Sequence, residues 1–448
     1  MAMIKEHIKY YLVLIFILFG IHQASSQQAT PPQKWDLEGC INYALENNIT
    51  VKQANLNKQT SELRYEQAKA SKLPSLNASG SQSLTRGTSI DPITSEFLSQ
   101  EIHSTSLGLN AQMTLYAGNQ LNYSIQQNNL LLDQNSLYVE EAENSIVLDV
   151  TQAYLMAIYY KEGVSIAEAN LEASEKQVEQ TQALYEAGSV AIKELADIKS
   201  QYASDEFTYT STVNSYNQQV LTLKQLLELE PEQDFEIFIP TFEEEYAVLL
   251  PEKMDVYQAA LDIMPEIKAG ELQKSVVELD WKIAKAGYLP TLSLNAGLSS
   301  GFTSTQRYNF SEQLDNNFNQ RVGVTLSIPI FNKLQTKTSV STAQLSKESA
   351  RLDMIATKKA LYQKVENAYQ SAIASQSEMH SAKVQLEAAE TAYNLTKQQF
   401  NVGILNTVDL LVSQNQYLTA QQNFTQTKYT LMLYYQLLQF YQGNPIKL

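Results

Sequence analysis

Thr105-Ser106-Leu107-Gly108-Leu109-Asn110-Ala111-Gln112-Met113-Thr114-Leu115 alternates from Leu107 onward: odd positions are apolar, even positions small or polar. A period of two places the two sets on opposite faces of one extended strand. The same pattern occurs in Thr291 to Leu298 (apolar Leu292, Leu294, Ala296, Leu298) and in Arg321 to Ile330 (apolar Val322, Val324, Leu326, Ile328, Ile330). Ser75 to Leu84 is a weaker copy, with Leu76, Ala78 and Gly80 on one face. Alternation over about 10 residues is the signature of a strand that crosses a bilayer between lipid and a polar lumen. A half-buried soluble sheet shares that pattern. Four strands cannot close a barrel, which needs about 8. Open strand edges are not tolerated in lipid. Strands of this kind in a membrane therefore require several subunits to share one barrel.

The strands recur because the chain repeats itself. Ala68-Lys69-Ala70-Ser71-Lys72-Leu73-Pro74-Ser75-Leu76 matches Ala284-Lys285-Ala286-Gly287-Tyr288-Leu289-Pro290-Thr291-Leu292, with Pro74 and Pro290 standing 216 residues apart. Leu107-Gly108-Leu109 matches Val322-Gly323-Val324, Val150 to Tyr154 matches Val365 to Tyr369, and Leu184 to Gly188 matches Gln399 to Gly403, each at an offset of 215. Constant register over separated matches implies two copies of one plan: helix, strand pair, two long helices.

Between Pro92 and Pro231, and again between Pro329 and Pro445, there is no proline. Asn119 to Glu186 would extend on the order of 100 Å as a helix. Gly188 and Gly403 break the two runs, and helices near Lys193–Leu229 and Val408–Tyr441 return. That makes two αα-hairpins of coiled-coil length. Their apolar stripes are thin and rich in small residues such as Ala142, Ala153 and Ala167. Such stripes suit a curved wall around a wet channel better than a solid bundle.

The expected organisation is a signal peptide over 1–26, a first repeat over 27–230 with its strand pair in 73–116 and hairpin tip near 188, and a connector over 231–252. A second repeat follows over 253–441, with its strand pair in 289–331 and tip near 403, then a tail over 442–448. Loops over 85–103 and 302–319 join the paired strands. The leader reads from Lys5 and Lys9, the 12-residue apolar run Tyr10–Ile21, and the small residues Ala24, Ser25 and Ser26. The connector carries Pro231, Pro240, Pro251 and the acidic run Glu243-Glu244-Glu245. After the leader, no stretch has the roughly 20 apolar residues of a membrane helix.

The net charge of −16 disfavours nucleic acid and anionic lipid surfaces as partners. A single cysteine, Cys40, excludes a disulfide framework, and four scattered histidines give no metal or catalytic cluster. No phosphate loop or nucleophile elbow is present, so neither an enzyme nor a cofactor is expected. A secreted or periplasmic coiled-coil scaffold is the alternative. It explains the helices but not the paired alternating strands.

The residues resemble one family, the TolC-type outer-membrane efflux proteins, over essentially the whole mature length. Trp35-Asp36-Leu37-Glu38-Gly39-Cys40-Ile41-Asn42-Tyr43-Ala44-Leu45-Glu46-Asn47-Asn48 is similar to that family's first-helix signature. The Leu-Pro-Ser/Thr-Leu entries at Leu73 and Leu289 resemble its helix-to-strand turns, and Ile328-Pro329-Ile330-Phe331 resembles the end of its last strand. Gly188-Ser189-Val190-Ala191-Ile192 and Val402-Gly403-Ile404 are similar to its hairpin tips. The resemblance implies a homotrimer in the outer membrane of a Gram-negative bacterium. Its fold would be mostly α: a 12-stranded β-barrel, four strands per subunit, continued through the periplasm by an α-helical barrel. It implies a periplasmic adaptor docking at Gly188, Ser189, Val190, Val402, Gly403 and Ile404, and an inner-membrane pump behind it. It implies a pore constriction at Asp409 and its first-repeat counterpart Glu194. Where the family's best-known members carry a second acidic residue and a basic one, this chain has Val412 and Leu405, a simplified gate. Drug efflux, metal-cation efflux and protein secretion all stay open, with small molecules favoured.

Overall fold

The computed structural model describes residues 34–90, 97–240 and 249–446. The expected leader and the Glu243–Glu245 run lie outside the described residues.

The chain folds as helices α1 (Leu37–Asn47) and α2 (Ile49–Ala70), strands β1 (Ser75–Ile90) and β2 (Phe97–Ala117), then helices α3 (Gln120–Glu186) and α4 (Ile192–Leu226). The second half gives α5 (Lys253–Ile263), α6 (Pro265–Ala286), β3 (Thr291–Thr303), the short α7 (Phe310–Asn316), β4 (Asn319–Ser327), α8 (Gln335–Asn401) and α9 (Thr407–Tyr441). The duplication is literal in the backbone. Helices α3 and α8 are both 67 residues long and α4 and α9 both 35. Positive φ pairs off at one offset of 215: Gly118 with Lys333, Asn119 with Leu334, Gly188 with Gly403, Glu228 with Gly443.

Local chemistry sets the breaks. The helix expected before each strand pair is two helices, divided at Asn48 and at Met264. Asn48 accepts from the Thr50 amide as N-cap and donates to the Leu226 carbonyl at 2.9 Å. Its counterpart, Met264, precedes Pro265, which starts the next helix where its missing N–H costs nothing. Strand pairing also runs further than expected. β1 and β2 occupy much of the stretch read as a loop over 85–103. β4 stops at Ser327, short of Ile328 and Ile330, because Pro329 cannot donate to a ladder. In the second strand pair the connection contains α7, held by a capping box between Asn309 and Glu312.

The four strands form one antiparallel sheet in the order β1-β2-β3-β4. Register puts Leu76 opposite Ala111, Leu109 opposite Leu298, Met113 opposite Leu294, and Leu294 opposite Val324, so the apolar residues share one face. The other face carries Asn77, Ser79, Ser106, Asn110, Gln112, Asn295 and Thr325. The register shifts between Thr114 and Tyr116, so Leu115 is a bulge residue and Tyr116 stands opposite Leu292. The alternation read through Leu115 therefore ends at Met113.

Two cores repeat the plan. In the first, Cys40, Ala44, Ile146, Val150, Tyr154 and Leu223 pack where α1, α3 and α4 meet. In the second, Val256, Ala260, Leu361, Val365 and Leu438 do the same for α5, α8 and α9. Trp35 ties the chain start to the connector: its amide donates to the Glu236 carbonyl at 2.9 Å and its carbonyl accepts from Phe238 at 2.7 Å. The fully buried Tyr154 hydroxyl donates to the Trp35 and Phe238 carbonyls.

Candidate functional site at the hairpin tips

Each long helix ends in the same cap. The Gly188 amide donates to Tyr185 at 2.9 Å and Ser189 to Leu184 at 2.8 Å; Gly403 donates to Phe400 and Ile404 to Gln399, both at 2.9 Å. These are paired Schellman bonds. They require a left-handed residue, and Gly188 and Gly403 supply it at φ 72° and 75°. No neighbour lies within 4 Å of a Cβ built at either glycine, so conformation rather than crowding fixes them. The returning helices start within a few residues, leaving tips only a turn long.

The tips are apolar and exposed. Val402 and Ile404 are 70% and 71% exposed, and Ile192, Val408 and Val412 also face outward. Ser189 is exposed and Val190 half-buried. Large apolar side chains gathered on a convex end mark a contact surface.

The acidic candidates take different positions. Glu194 lies in the first turn of α4, and its Oε2 accepts from Thr407 Oγ1 of α9 at 3.4 Å. This contact joins the two hairpins at their ends. Thr407 is buried, whereas Asp409, two residues on, is exposed, and its amide is capped by Asn406 Oδ1 at 3.0 Å. Thr407 was not foreseen as a partner of Glu194; the offset of 215 maps it onto Ile192 and offers no polar counterpart. Both carboxylates also sit where the positive end of a helix dipole favours them.

The polar sheet face carries mostly small uncharged groups, with Arg321 on the same face opposite Gly297. Ser83 Oγ lies 2.7 Å from Ser104 Oγ, and Asn295 donates to Thr325 at 3.1 Å. Gly108 and Gly297 leave room for Ser79 and Asn110, whose side chains would lie 3.0 and 3.2 Å from an added Cβ. Among the described residues no group of three His, Cys, Asp or Glu side chains could hold a metal, and no helix is long and apolar enough to cross a membrane. Cys40, fully buried, has its thiol pushed up to about 12 by burial, which is the behaviour of a small core side chain rather than a reactive one.

A family model described as outer membrane efflux protein matches residues 40–228 and again residues 256–444. The chain belongs to the outer membrane efflux protein family. The two matched segments are themselves displaced by 216 residues, so the family pattern is the internal repeat. Outer membrane protein TolC of Vibrio cholerae is 25% identical over 301 residues, covering 65% of this chain and 66% of that protein. The chain spans less than two thirds of the length of the TolC relatives it matches. The pyoverdine export outer membrane protein OpmQ of Pseudomonas putida is 23% identical over 411 residues, covering 89% and 85% of the two chains. Among solved structures, the transmembrane-channel protein CusC superposes with a TM-score of 0.78 at 17% identity, covering 94% of this chain and 96% of that one. That last likeness is one of fold: four strands and two long helical hairpins in two repeats.

Proposed function

We propose that three copies of this chain form the exit duct of a tripartite export system in the outer membrane of a Gram-negative bacterium. One observation carries the reading. Among the described residues the sheet has two unpaired edges, β1 and β4, and an apolar face on which Val322, Val324 and Leu326 are 76%, 60% and 59% exposed. In water such a face and such edges would aggregate. In lipid the apolar face is satisfied, and the edges are satisfied when β4 of one subunit pairs with β1 of the next. Three sheets of four strands then close a 12-stranded barrel around the Ser/Asn/Thr face. The helical hairpins continue the wall for on the order of 100 Å across the periplasm.

The tips are the inner end of the duct. Exposed Val402 and Ile404, with Gly188, Ser189, Val190 and Gly403 shaping the turns, form the surface that a periplasmic adaptor covers, with an inner-membrane pump supplying the cargo. Asp409 and Glu194 form the acidic constriction: a ring of like carboxylates at a narrow mouth favours cations. A lumen lined mostly by small polar groups, with Arg321 among them, suits small molecules. The duct carries no chemistry of its own and needs no cofactor.

Single-particle electron microscopy of the detergent-solubilised protein tests this. A hollow three-fold cylinder is the expected particle. A water-soluble solid rod, or a dimer without a lumen, would return the strands to a soluble sheet and favour a scaffold.

A further inference from the structure

Asp205 lies on α4, 13 residues beyond Ile192, which is about 20 Å from the tip at ~1.5 Å per residue. It is 6% exposed. Its Oδ1 accepts from Gln201 Nε2 at 2.8 Å, while Oδ2 is buried without a donor. Ser174 of α3 lies against the carboxyl, but its hydroxyl donates to the Leu171 carbonyl at 3.0 Å. From α8 the facing titratable group is Tyr393, stacked on Tyr417 of α9 at 5.5 Å, with Lys397 on the Tyr393 ring at 5.8 Å. From α9, Asn415, Leu418 and Thr419 line the same cavity as Asp205, a chamber of about 350 Å³ open to solvent on one side. No lysine, arginine or histidine pairs with Asp205 among the described residues. Two further buried oxygens near this seam lack donors: Gln177 Oε1, one turn from Ser174, and Gln414 Oε1, one turn before Tyr417.

Three buried oxygens of the seam thus lack a hydrogen, although hydroxyls and amides line the cavity beside them. A carboxylate there adds one more acceptor, whereas a carboxylic acid adds a donor. The carboxyl is not demanded by packing: its repeat counterpart, Ala420, is fully buried and apolar. We propose that Asp205 is a proton-binding site that latches the first hairpin against the second, holding its proton while α3, α4, α8 and α9 are packed and releasing it when they part.

The inference rests on the reading of the chain as a gated duct. Burial disfavours the ionised carboxyl and raises its titration above the ordinary aspartate range. The packed state therefore binds more protons than the parted one. Its advantage is complete at pH below the ordinary aspartate value and declines as pH rises through the raised value. The cavity beside Asp205 gives water and hydroxide access to the latch.

Conductance of the full-length trimer in planar bilayers, recorded across the carboxylate range, is the test. Wild type should conduct severalfold more after the pH passes the Asp205 titration. Asp205→Asn, which keeps the shape and cannot ionise, should lose that rise and stay at the low level, while Glu206→Gln, which removes the exposed carboxylate next to it, keeps the rise at the same midpoint. The infrared difference spectrum of wild type minus Asp205→Asn should show a protonated-carboxyl band that disappears with pH. An Asp205→Asn curve superimposable on wild type, or a difference spectrum without that band, would overturn the latch and leave the duct standing. A trimer that never conducts would overturn the duct itself.

Discussion

Lys333 and Leu334 hold φ of 54° and 66° just before α8, where the first repeat uses Gly118 and Asn119 at 60° and 69°. The same left-handed turn is thus made by two side chains that disfavour it. A left-handed residue with a Cβ costs about 1–2 kcal/mol, and asparagine tolerates the region better than leucine. Glycine gives back about 0.5–1 kcal/mol through its freedom in the unfolded chain. Grafting Lys333→Gly with Leu334→Asn should therefore stabilise each subunit by about 1–2 kcal/mol, treated as one unit because adjacent sites are not additive. Leu334 is 58% exposed, so little packing is lost. The reverse exchange is not its mirror image. A Cβ on Gly118 would lie 2.9 Å from Leu289 Cδ1 and 3.0 Å from the Ala286 carbonyl. Gly118→Lys therefore adds overpacking of about 1–3 kcal/mol to the same strain. Denaturant midpoints of the purified protein at fixed protein and detergent concentration measure both. A graft no more stable than wild type, or a tolerated Gly118→Lys, would mean that the strain is compensated by contacts the subunit does not make alone.

Other substitutions probe the remaining features. Cys40 should resist thiol reagents in the folded protein and label fully after denaturation, since its thiol is buried and burial pushes it up to about 12; rapid native labelling would contradict that core. Tyr154→Phe removes the donor to the Trp35 and Phe238 carbonyls and should cost about 1–2 kcal/mol in the denaturation midpoint, because buried carbonyls lose a partner. Asp409→Asn should lower the cation preference of the reversal potential with little effect on stability, as its carboxylate is exposed; unchanged selectivity would remove it from the constriction.

How much of this could be read from residues alone depends on how local the signal is. Period-two alternation and the offset of 215 are one-dimensional, and they gave the sheet, the repeats and the tips. The breaks at Asn48 and Met264-Pro265 were equally local, an N-cap residue and a proline at the first helical position, but the stretch before each strand pair was read as one helix. The bulge at Leu115 is invisible to periodicity because Leu115 and Tyr116 can both serve the apolar face. The Asn309–Glu312 capping box was legible inside a stretch read only as loop. The seam around Asp205 had no such signal. Its residues come from four helices, and a lone aspartate in a polar run looks solvated until packing removes the water.

The duplication also constrains the assembly, because a contact made within one subunit has an image between subunits. Glu194 of α4 meets Thr407 of α9 inside the chain. Shifting both by 215 exchanges the roles: Asp409 of α9 should meet Ile192 of α4 in the neighbouring subunit. The flanks that would form this second seam are apolar and uncovered in one subunit, with Val384 and Leu395 of α8 each 55% exposed and Phe207 of α4 75% exposed. If the six hairpins alternate around the ring in near-equivalent positions, Asp409 borders a neighbour as well as the lumen, and its charge acts on the seam that must open. A trimer carrying Ile192→Cys with Asp409→Cys should then yield linked subunits with a short thiol crosslinker, Cys40 being buried and silent. Absence of linked subunits would show that the tips break the quasi-equivalence, with the second hairpins drawn inward and the two seams no longer alike.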